Sequence, residues 1–201
     1  LCRSLASAVA ANHGAKAAKG GANIPLTLDA PATVKFYYDH KTHWVADSQS
    51  NVIATIPGSY QSEAGCGGDW APDCDKTQLA YDAGSDLWKG EFTIPAGTYE
   101  YKVAINNSWT ENYGLHAVPG GPNIPFPLAA SGPVKFYYDP RTHWVADNKT
   151  AVIATVAGSF QSKVGCAKDW APDCLRTWLE DPDGDGVYTY TVKTLPAGNY
   201  E

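Results

Sequence analysis

Short runs of β-branched and aromatic residues alternate with clusters of Gly, Pro, Asp and Asn along most of the chain. The runs VKFYYD at 34–39 and THWVAD at 42–47 are separated by a turn, which is the pattern of a β-hairpin. The segment GVYTYTVKTLPAGNYE at 186–201 predicts a strand, a Pro-Gly turn and a second strand. Because turn signals recur about every 8 to 12 residues, the pattern predicts an all-β fold built of immunoglobulin-like β-sandwich modules.

The same pattern occurs twice, with a period of about 100 residues. VKFYYDHKTHWVAD at 34–47 returns as VKFYYDPRTHWVAD at 134–147, and 12 of these 14 positions are identical. VIATIPGSYQSEAGCGGDWAPDC begins at residue 52, and VIATVAGSFQSKVGCAKDWAPDC begins at residue 152. We therefore predict two repeats of one sandwich module.

The module boundaries do not coincide with the ends of the sequence. A complete module spans residues 52–147, whereas residues 1–47 correspond to the C-terminal half of a module and residues 152–201 to the N-terminal half. Half a sandwich leaves its inner face and its strand edges uncovered. Three arrangements remain open: closure of the two halves within one chain, pairing between chains as a swapped dimer or head-to-tail filament, and membership of a longer array.

Composition and charge narrow the classes of partner. The net charge is −6 and no basic run is present, which argues against nucleic acid as a partner. No apolar stretch approaches the roughly 18 residues that a membrane span requires. The 7 Trp and 12 Tyr favour a sheet-rich protein whose surface stacks on flat ligands.

Four of the five cysteines form two matched pairs, Cys66 with Cys74 and Cys166 with Cys174. Each pair brackets a short loop rich in Gly, Pro and Asp, which suits a local disulfide in an oxidising compartment. Metal ligation is the weaker alternative, because the spacing does not match zinc sites and neither loop contains a histidine. The pairs therefore predict a secreted or surface-exposed protein, and Cys2 is left over.

A family resemblance rests on four groups of residues: the paired-cysteine loop with DWAPDC, the LPAG.YEYKVA hairpin, the W.ENYG turn and GGPNIPF. Together they cover the chain from about residue 12 onward. They resemble the accessory modules of bacterial pullulanases and amylopullulanases known as X-series module 25. More distantly, they are similar to carbohydrate-binding families 20 and 48. The resemblance implies an immunoglobulin-like β-sandwich that binds α-glucan.

The resemblance also implies a set of sugar-binding residues. The glycogen-binding pattern consists of a Trp after Asp, a Lys in the YK strand, a Trp in the next turn and a later Asn. In the complete module these positions are Trp70, Lys102, Trp109 and Asn123. In the split module they are Trp170 and Asn23, while Val9 stands where the turn Trp would be and no residue of the chain occupies the Lys position.

Each candidate also has a structural interpretation. Trp70 could cap the core, Lys102 could belong to a solvated strand face, and Asn123 could cap a turn. Tyr113 is expected to pack beside the turn that carries Trp109. We interpret Trp44 and Trp144 as core or inter-module packing, and Trp178, which replaces Gln78, as not required in both repeats.

The sequence contains no motif for catalysis, a metal or a cofactor. None of the five His lies in a nucleophile motif. Glycosidases need two carboxylates across a cleft, whereas the acids here cluster in turns. DPDGDG at 181–186 is such a turn, because it lacks the downstream Glu that a calcium loop requires.

We therefore predict a non-catalytic α-glucan-binding protein, made of tandem modules from a secreted starch-degrading enzyme. Its partner would be starch, glycogen or pullulan, and two sites would raise a modest affinity. The alternative is a self-assembling extracellular structural protein, in which a half-module donated to a neighbour propagates a filament. Its partners would then be further copies of itself.

Overall fold

A computed structural model describes residues 12–34, 36–38, 40, 43–47 and 53–201. The chain forms two compact units, with the boundary between residues 52 and 53. Within the described residues the regular structure consists of 13 β-strands and five short 3₁₀ turns, without an α-helix. The predicted all-β fold is therefore confirmed.

The strands are short, as is usual for sheet proteins with many turns. In the N-terminal unit they are β1 (Phe36–Tyr38) and β2 (Val45–Asp47). In the C-terminal unit they are β3 (Ala54–Thr55), β4 (Ala80–Asp82), β5 (Leu87–Ile94), β6 (Gly97–Tyr101), β7 (Val103–Ile105), β8 (Glu111–Tyr113), β9 (Ile124–Leu128), β10 (Gly132–Tyr138), β11 (Val145–Asp147), β12 (Ala154–Thr155) and β13 (Trp178–Leu179). The 3₁₀ turns are Ala15–Ala17, Asp75–Thr77, Leu115–Ala117, Gln161–Val164 and Leu175–Thr177.

The N-terminal unit contains the hairpin that its sequence predicts. Strands β1 and β2 pair antiparallel, with Phe36 opposite Asp47 and Tyr38 opposite Val45. The imidazole of His13 stacks on that of His43, with ring centroids 4.1 Å apart. Residues 1–11, including Cys2 and Val9, lie outside the described residues.

The C-terminal unit contains three sheets that belong to the complete module. One has four strands in the order β11-β10-β5-β4, one has three in the order β3-β7-β8, and one pairs β6 with β9. Along β9 the side chains of Ile124, Phe126 and Leu128 are buried, while Pro125 and Pro127 are exposed. This alternation follows from the two-residue period of a strand that buries one face.

An aromatic core joins the sheets into a sandwich-like module. Tyr60, Tyr101, Phe126 and Phe136 are fully buried and come from different elements. Tyr101 on β6 lies edge-on to Phe136 on β10, with ring centroids 5.1 Å apart. Its hydroxyl donates to Oδ2 of Asp147 at 3.1 Å. Burial and that carboxylate both raise the pKa of Tyr101, so the hydroxyl remains a donor.

Residues 153–201 pack against the complete module through Trp178. Its buried indole joins Leu87, Trp144 and Ala146 in one apolar cluster. Nearby, the Thr142 hydroxyl donates to Oε1 of Glu180 at 3.0 Å. The interpretation of Trp144 as a packing residue is therefore confirmed, and Trp178 has a packing role that the sequence did not indicate.

The strand–turn–strand prediction for residues 186–201 is wrong. The segment forms a single isolated β-bridge, between Thr189 and Glu180. The corresponding residues of the complete module form the strands β5 and β6. A strand requires a hydrogen-bonded neighbour. Strands β5 and β6 find theirs in β10 and β9, which already pair within the complete module.

The described part of the chain has no helix of the length and apolar character needed to cross a lipid bilayer.

Candidate functional site

Both predicted disulfides are present, and each closes a loop of the same conformation. Cα atoms are 5.9 Å apart in Cys66–Cys74 and 6.0 Å apart in Cys166–Cys174. Inside the first loop, the amide of fully buried Gln61 donates to the carbonyl of Ala71 and accepts from its N–H, at 2.9 and 2.7 Å. These bonds fix the backbone directly after Trp70.

The loop holds Trp70 in a left-handed backbone conformation, with φ of 57°. Such a φ is unusual for a bulky residue and requires support from its surroundings. The Trp70 N–H donates to the carbonyl of Gly58 at 3.2 Å, and Oδ1 of Asp69 accepts from both the N–H and the hydroxyl of Ser62 at 2.8 Å. These hydrogen bonds fix the loop, and the indole of Trp70 is held half-exposed at its surface.

Trp109 lies beside Trp70 and supplies the second ring. Its side chain is 39% exposed, and the two ring centroids are 6.3 Å apart with an interplanar angle of 43°. The turn that carries Trp109 begins with Asn106 and Asn107, both in the left-handed region that Asn tolerates. Two tryptophans separated by 39 residues thus form one tilted aromatic surface.

Asn112 connects Lys102 to this surface, and sequence reasoning missed it. Its Oδ1 accepts from Nζ of Lys102 at 3.4 Å, and its Nδ2 donates to the Trp109 carbonyl at 2.9 Å. Lys102 is itself half-buried, and its backbone N–H donates to Pro57. A signal was available, because the repeat position Asn12 carries the same residue type.

Asn123 directly precedes β9, which pairs with β6, and it is linked to the Trp70 loop by hydrogen bonds. Its Nδ2 donates to Oε2 of Glu100 at 2.8 Å. The backbone N–H of Glu100 in turn donates to the Ser59 hydroxyl at 3.1 Å, next to Gly58, which anchors Trp70. Glu100 is a second polar residue that the sequence pattern did not single out.

Tyr113 belongs to the packing beneath the site, as expected. Its ring is buried and stacks on His143 with centroids 3.9 Å apart, while its hydroxyl donates to Oε1 of Glu111 at 2.9 Å. Burial and this carboxylate raise the pKa of Tyr113. Tyr113 therefore supports the sheet and leaves the outer surface to the tryptophans.

The chemistry of this surface is aromatic contact with polar donors at its margin. Indole faces cover flat C–H surfaces such as those of pyranose rings. An ammonium group and carboxamides can donate to hydroxyls and fix a ligand's orientation.

A groove of about 450 Å³ elsewhere in the unit includes none of the predicted sugar-binding residues. It is lined by Lys89, Gly90, Glu91, Lys135, Phe136, Tyr137, Asp173 and Leu175.

The second predicted site is only partly assembled within the described residues. Trp170 repeats the geometry of Trp70, with φ of 55° and an N–H bond to Gly158 at 3.2 Å, but its indole is 56% exposed. In the described part of the chain no aromatic ring contacts Trp170, and Val9 lies outside that part. Asn23 is exposed in the N-terminal unit.

The acidic turn at 181–186 brings three carboxylates together. One oxygen each of Asp181, Asp183 and Asp185 lie within 4.8 Å of one another, so a cation could be held there. Asp181 already accepts from the N–H groups of Asp185 and Gly186, at 3.2 and 3.1 Å. These bonds are the turn chemistry that the sequence predicted.

Comparison with known proteins finds a matching family and relatives that are named amylopullulanases. The family description "Pullulanase X25 domain" matches residues 53–145 and 153–201. Amylopullulanase of Thermoanaerobacter thermohydrosulfuricus is 36% identical over 159 residues, which are 74% of this chain and 10% of the relative. Amylopullulanase of Thermoanaerobacterium saccharolyticum is 33% identical over 63% of this chain and 10% of the relative.

Among solved structures, pullulanase from Bacillus acidopullulyticus is 34% identical over 48% of this chain and 11% of that chain, with a TM-score of 0.43. The chain thus spans about a tenth of the length of these relatives. Because the family match covers well over half of the residues, the chain belongs to the pullulanase X25 domain family.

Proposed function

We propose that this chain is a non-catalytic α-glucan-binding part of a secreted starch-degrading enzyme. The observation that carries the proposal is the pair of tilted indoles, Trp70 and Trp109, with centroids 6.3 Å apart. Family membership supports it, since the relatives are named amylopullulanases. The two disulfides support secretion, because such bonds persist in oxidising compartments.

The tilt between the indoles suits a curved ligand. Two coplanar rings would favour a flat surface, such as that of a crystalline polymer. Rings inclined at 43° contact successive sugars of a chain that turns along its length, as α-1,4-linked glucose does. Lys102 and Asn123 stand at the margins as donors to sugar hydroxyls.

Among the described carboxyl groups, Glu180 has the pKa that most resembles the pKa of a catalytic acid. Burial is the main cause that raises its pKa to about 7, and the charge of Asp139 adds to the effect. Both carboxyl groups are nevertheless buried where residues 153–201 pack on the complete module. A glycosidase requires its two carboxylates across an open cleft that admits substrate. The burial of these two carboxyl groups therefore favours a binding role for the chain over a catalytic one.

Migration in native gels cast with and without amylopectin tests the proposal. Amylopectin should retard the wild-type chain, and Trp109→Ala should remove most of the retardation. Loss of a central aromatic contact costs about 2 kcal/mol, which is roughly 30-fold in affinity. Trp170→Ala is the matched control, because it removes an exposed indole from the repeated loop and should leave migration nearly unchanged.

The gel result has clear contrary outcomes. A wild-type chain that amylopectin does not retard would refute glucan binding. Equal loss of retardation in Trp109→Ala and Trp170→Ala would refute the assignment of the site to the complete module. Release of reducing sugar from amylopectin by the purified chain would refute the non-catalytic role.

A further inference from the structure

The groove of about 450 Å³ has its floor on the complete module. The floor is the outer face of β5 and β10, where Lys89 lies opposite Tyr137 and Glu91 lies opposite Lys135. Alternate residues of β10 are buried in the core, so the side chains of Lys135 and Tyr137 point away from it. The floor is therefore a polar sheet face that carries one aromatic ring.

The wall of the groove belongs to the second repeat. It consists of Asp173 and Leu175, which stand on either side of a disulfide cysteine. The guanidinium of Arg176 donates to the carbonyls of Ala83 and Gly84, at 2.7 and 2.8 Å. Because these carbonyls belong to the turn between β4 and β5, the wall is tied to the floor. We name this site the inter-repeat groove.

The accessibility of the wall is a property of the disulfide loop. In the complete module the equivalent residues are Asp73 and Asp75, and both are exposed. The side chain of Asp75 is 78% exposed. The strands that complete a module therefore leave this part of its loop uncovered.

Tyr137 supplies the aromatic surface of the groove. It is half-buried, and its ring lies edge-on to the buried indole of Trp178, with centroids 6.2 Å apart and an interplanar angle of 67°. Burial and the charge of Glu91 raise the pKa of Tyr137, so its hydroxyl remains a donor. The second repeat thus holds in place a ring that belongs to the complete module.

The charges that line the groove are balanced. Lys89 and Lys135 are opposed by Glu91 and Asp173, and Lys89 has a further partner in Asp82 at 2.6 Å. Nζ of Lys135 is 3.9 Å from Oε2 of Glu91, and both side chains are more than half exposed. An ion of either sign would meet like charges here, whereas a hydroxyl can donate to a carboxylate and accept from an ammonium group. The lining therefore favours a neutral ligand rich in hydroxyls.

We propose that the inter-repeat groove binds a short segment of α-glucan as a second subsite. The identity of the sugar rests on the proposed function, whereas the preference for a neutral, hydroxyl-rich ligand rests on the lining. The volume lies within the range of about 300–1,000 Å³ that is usual for small-ligand sites. The groove offers one ring where Trp70 and Trp109 offer two, so it should bind glucan more weakly than they do.

Titration of the isotope-labelled chain with maltotriose, followed through its amide resonances, reads both sites at once. Amides of β5, β10 and residues 173–175 should shift with one dissociation constant, and those around Trp109 with a lower one. Tyr137→Ala should raise the groove constant about tenfold and leave that of Trp109 unchanged. Tyr137→Phe keeps the ring and should bind as the wild type does. Tyr37→Ala makes the same truncation at the repeat position, and as the control it should leave both constants unchanged.

Lys135→Ala is an independent variant. Its side chain is 55% exposed, so the change leaves the fold intact. It should raise the groove constant about threefold, because one hydrogen-bond donor to the sugar is lost. This variant decides the question if Tyr137→Ala, which loses its contact with Trp178, fails to fold.

Residue-specific shifts separate the failure of this proposal from the failure of glucan binding at the indoles. Shifts around Trp109 without shifts in the groove would refute the groove as a subsite and leave the proposed function standing. Groove shifts that vanish in the double variant Trp70→Ala/Trp109→Ala would show an indirect effect and would refute it as well. Groove shifts that persist in the double variant and weaken with Lys135→Ala would support it. A chain that shifts at neither place would refute both proposals.

Discussion

Residues 53–100 and 153–201 are repeats of one sequence pattern, and the structure folds only part of that pattern in the same way. Both segments form the disulfide loop, the buried glutamine that braces it and the left-handed tryptophan. Only the first segment continues into the long strands β5 and β6. The loop is stabilised by contacts within about 20 residues, whereas each strand needs a partner from the other half of a module.

Position 78 shows a second difference between the same two segments. Gln78 and Trp178 pair with the equivalent residues Thr55 and Thr155. Gln78 is half-buried, whereas Trp178 is buried against Leu87 and the ring of Tyr137. The Trp ring supplies a large apolar contact of the kind that dominates packing energy. This substitution between repeats therefore contributes to the packing of the second segment on the complete module.

The strongest test of the comparison is the paired truncation Leu87→Ala and Val187→Ala. Leu87→Ala should lower the free energy of unfolding by about 2–5 kcal/mol, because it leaves a cavity in the core. Val187→Ala should change it by less than about 0.5 kcal/mol, since the side chain is exposed in the single chain. Denaturation of dilute protein by urea measures both, and an equal loss would show that residue 187 is already buried.

A second test concerns pH and the attachment of residues 153–201. The pKa of Glu180 is raised from 4.5 to about 7 in the folded chain, chiefly by burial. A raised pKa means that stability is full below pH 4.5 and declines as pH rises to about 7, because only the unfolded carboxyl loses its proton in that range. The decline should be on the order of 3 kcal/mol, since one pKa unit corresponds to about 1.4 kcal/mol.

Glu180→Gln should remove most of this pH dependence. The variant keeps an oxygen that can accept from Thr142, and it has no charge to bury beside Asp139 and Arg141. Thermal unfolding between pH 4.5 and 8 measures the effect, with the exposed Glu91→Gln as control. A wild-type profile that Glu180→Gln leaves unchanged would contradict this account.

The sequence predicted those features that depend on local pattern. The β1–β2 and β10–β11 hairpins follow from the alternation of VKFYYD and THWVAD around a turn. The disulfides follow from cysteine spacing. Each of these features is decided by residues that are close in sequence.

The features that the sequence did not predict depend on distant partners. Residues 187–201 have the pattern of strands, but in the described part of the chain Thr189 forms their one β-bridge, to Glu180. Asn112 and Glu100 matter because the fold brings Lys102 and Asn123 to them. The repeated Asn at positions 12 and 112 marks the position, but the contact that an Asn or Glu makes in a strand depends on which side chain lies opposite.

A third test compares the two exposed loops as ligand sites. Trp70→Ala should weaken binding of maltoheptaose about tenfold, because Trp109 then lacks its neighbouring ring. Trp170→Ala should weaken it less than about twofold, which corresponds to less than about 0.4 kcal/mol. Isothermal titration measures both constants. A larger loss in Trp170→Ala would move the site to residues 153–201.

The smallest expected effect concerns Asn112, a polar residue at the edge of the aromatic surface. Asn112→Asp keeps an oxygen that can accept from Lys102 but loses the amide that donates to the Trp109 carbonyl. Since one neutral hydrogen bond contributes about 1 kcal/mol, and the added charge strengthens the remaining contact, the affinity for maltoheptaose should fall only about threefold. Asn12→Asp makes the same change at the repeat position, which has no tryptophan three residues earlier, and should leave the affinity unchanged. If Asn112→Asp binds maltoheptaose as tightly as the wild type does, the turn alone positions Trp109. Asn112 would then have no part in the site, and the two indoles would determine the affinity.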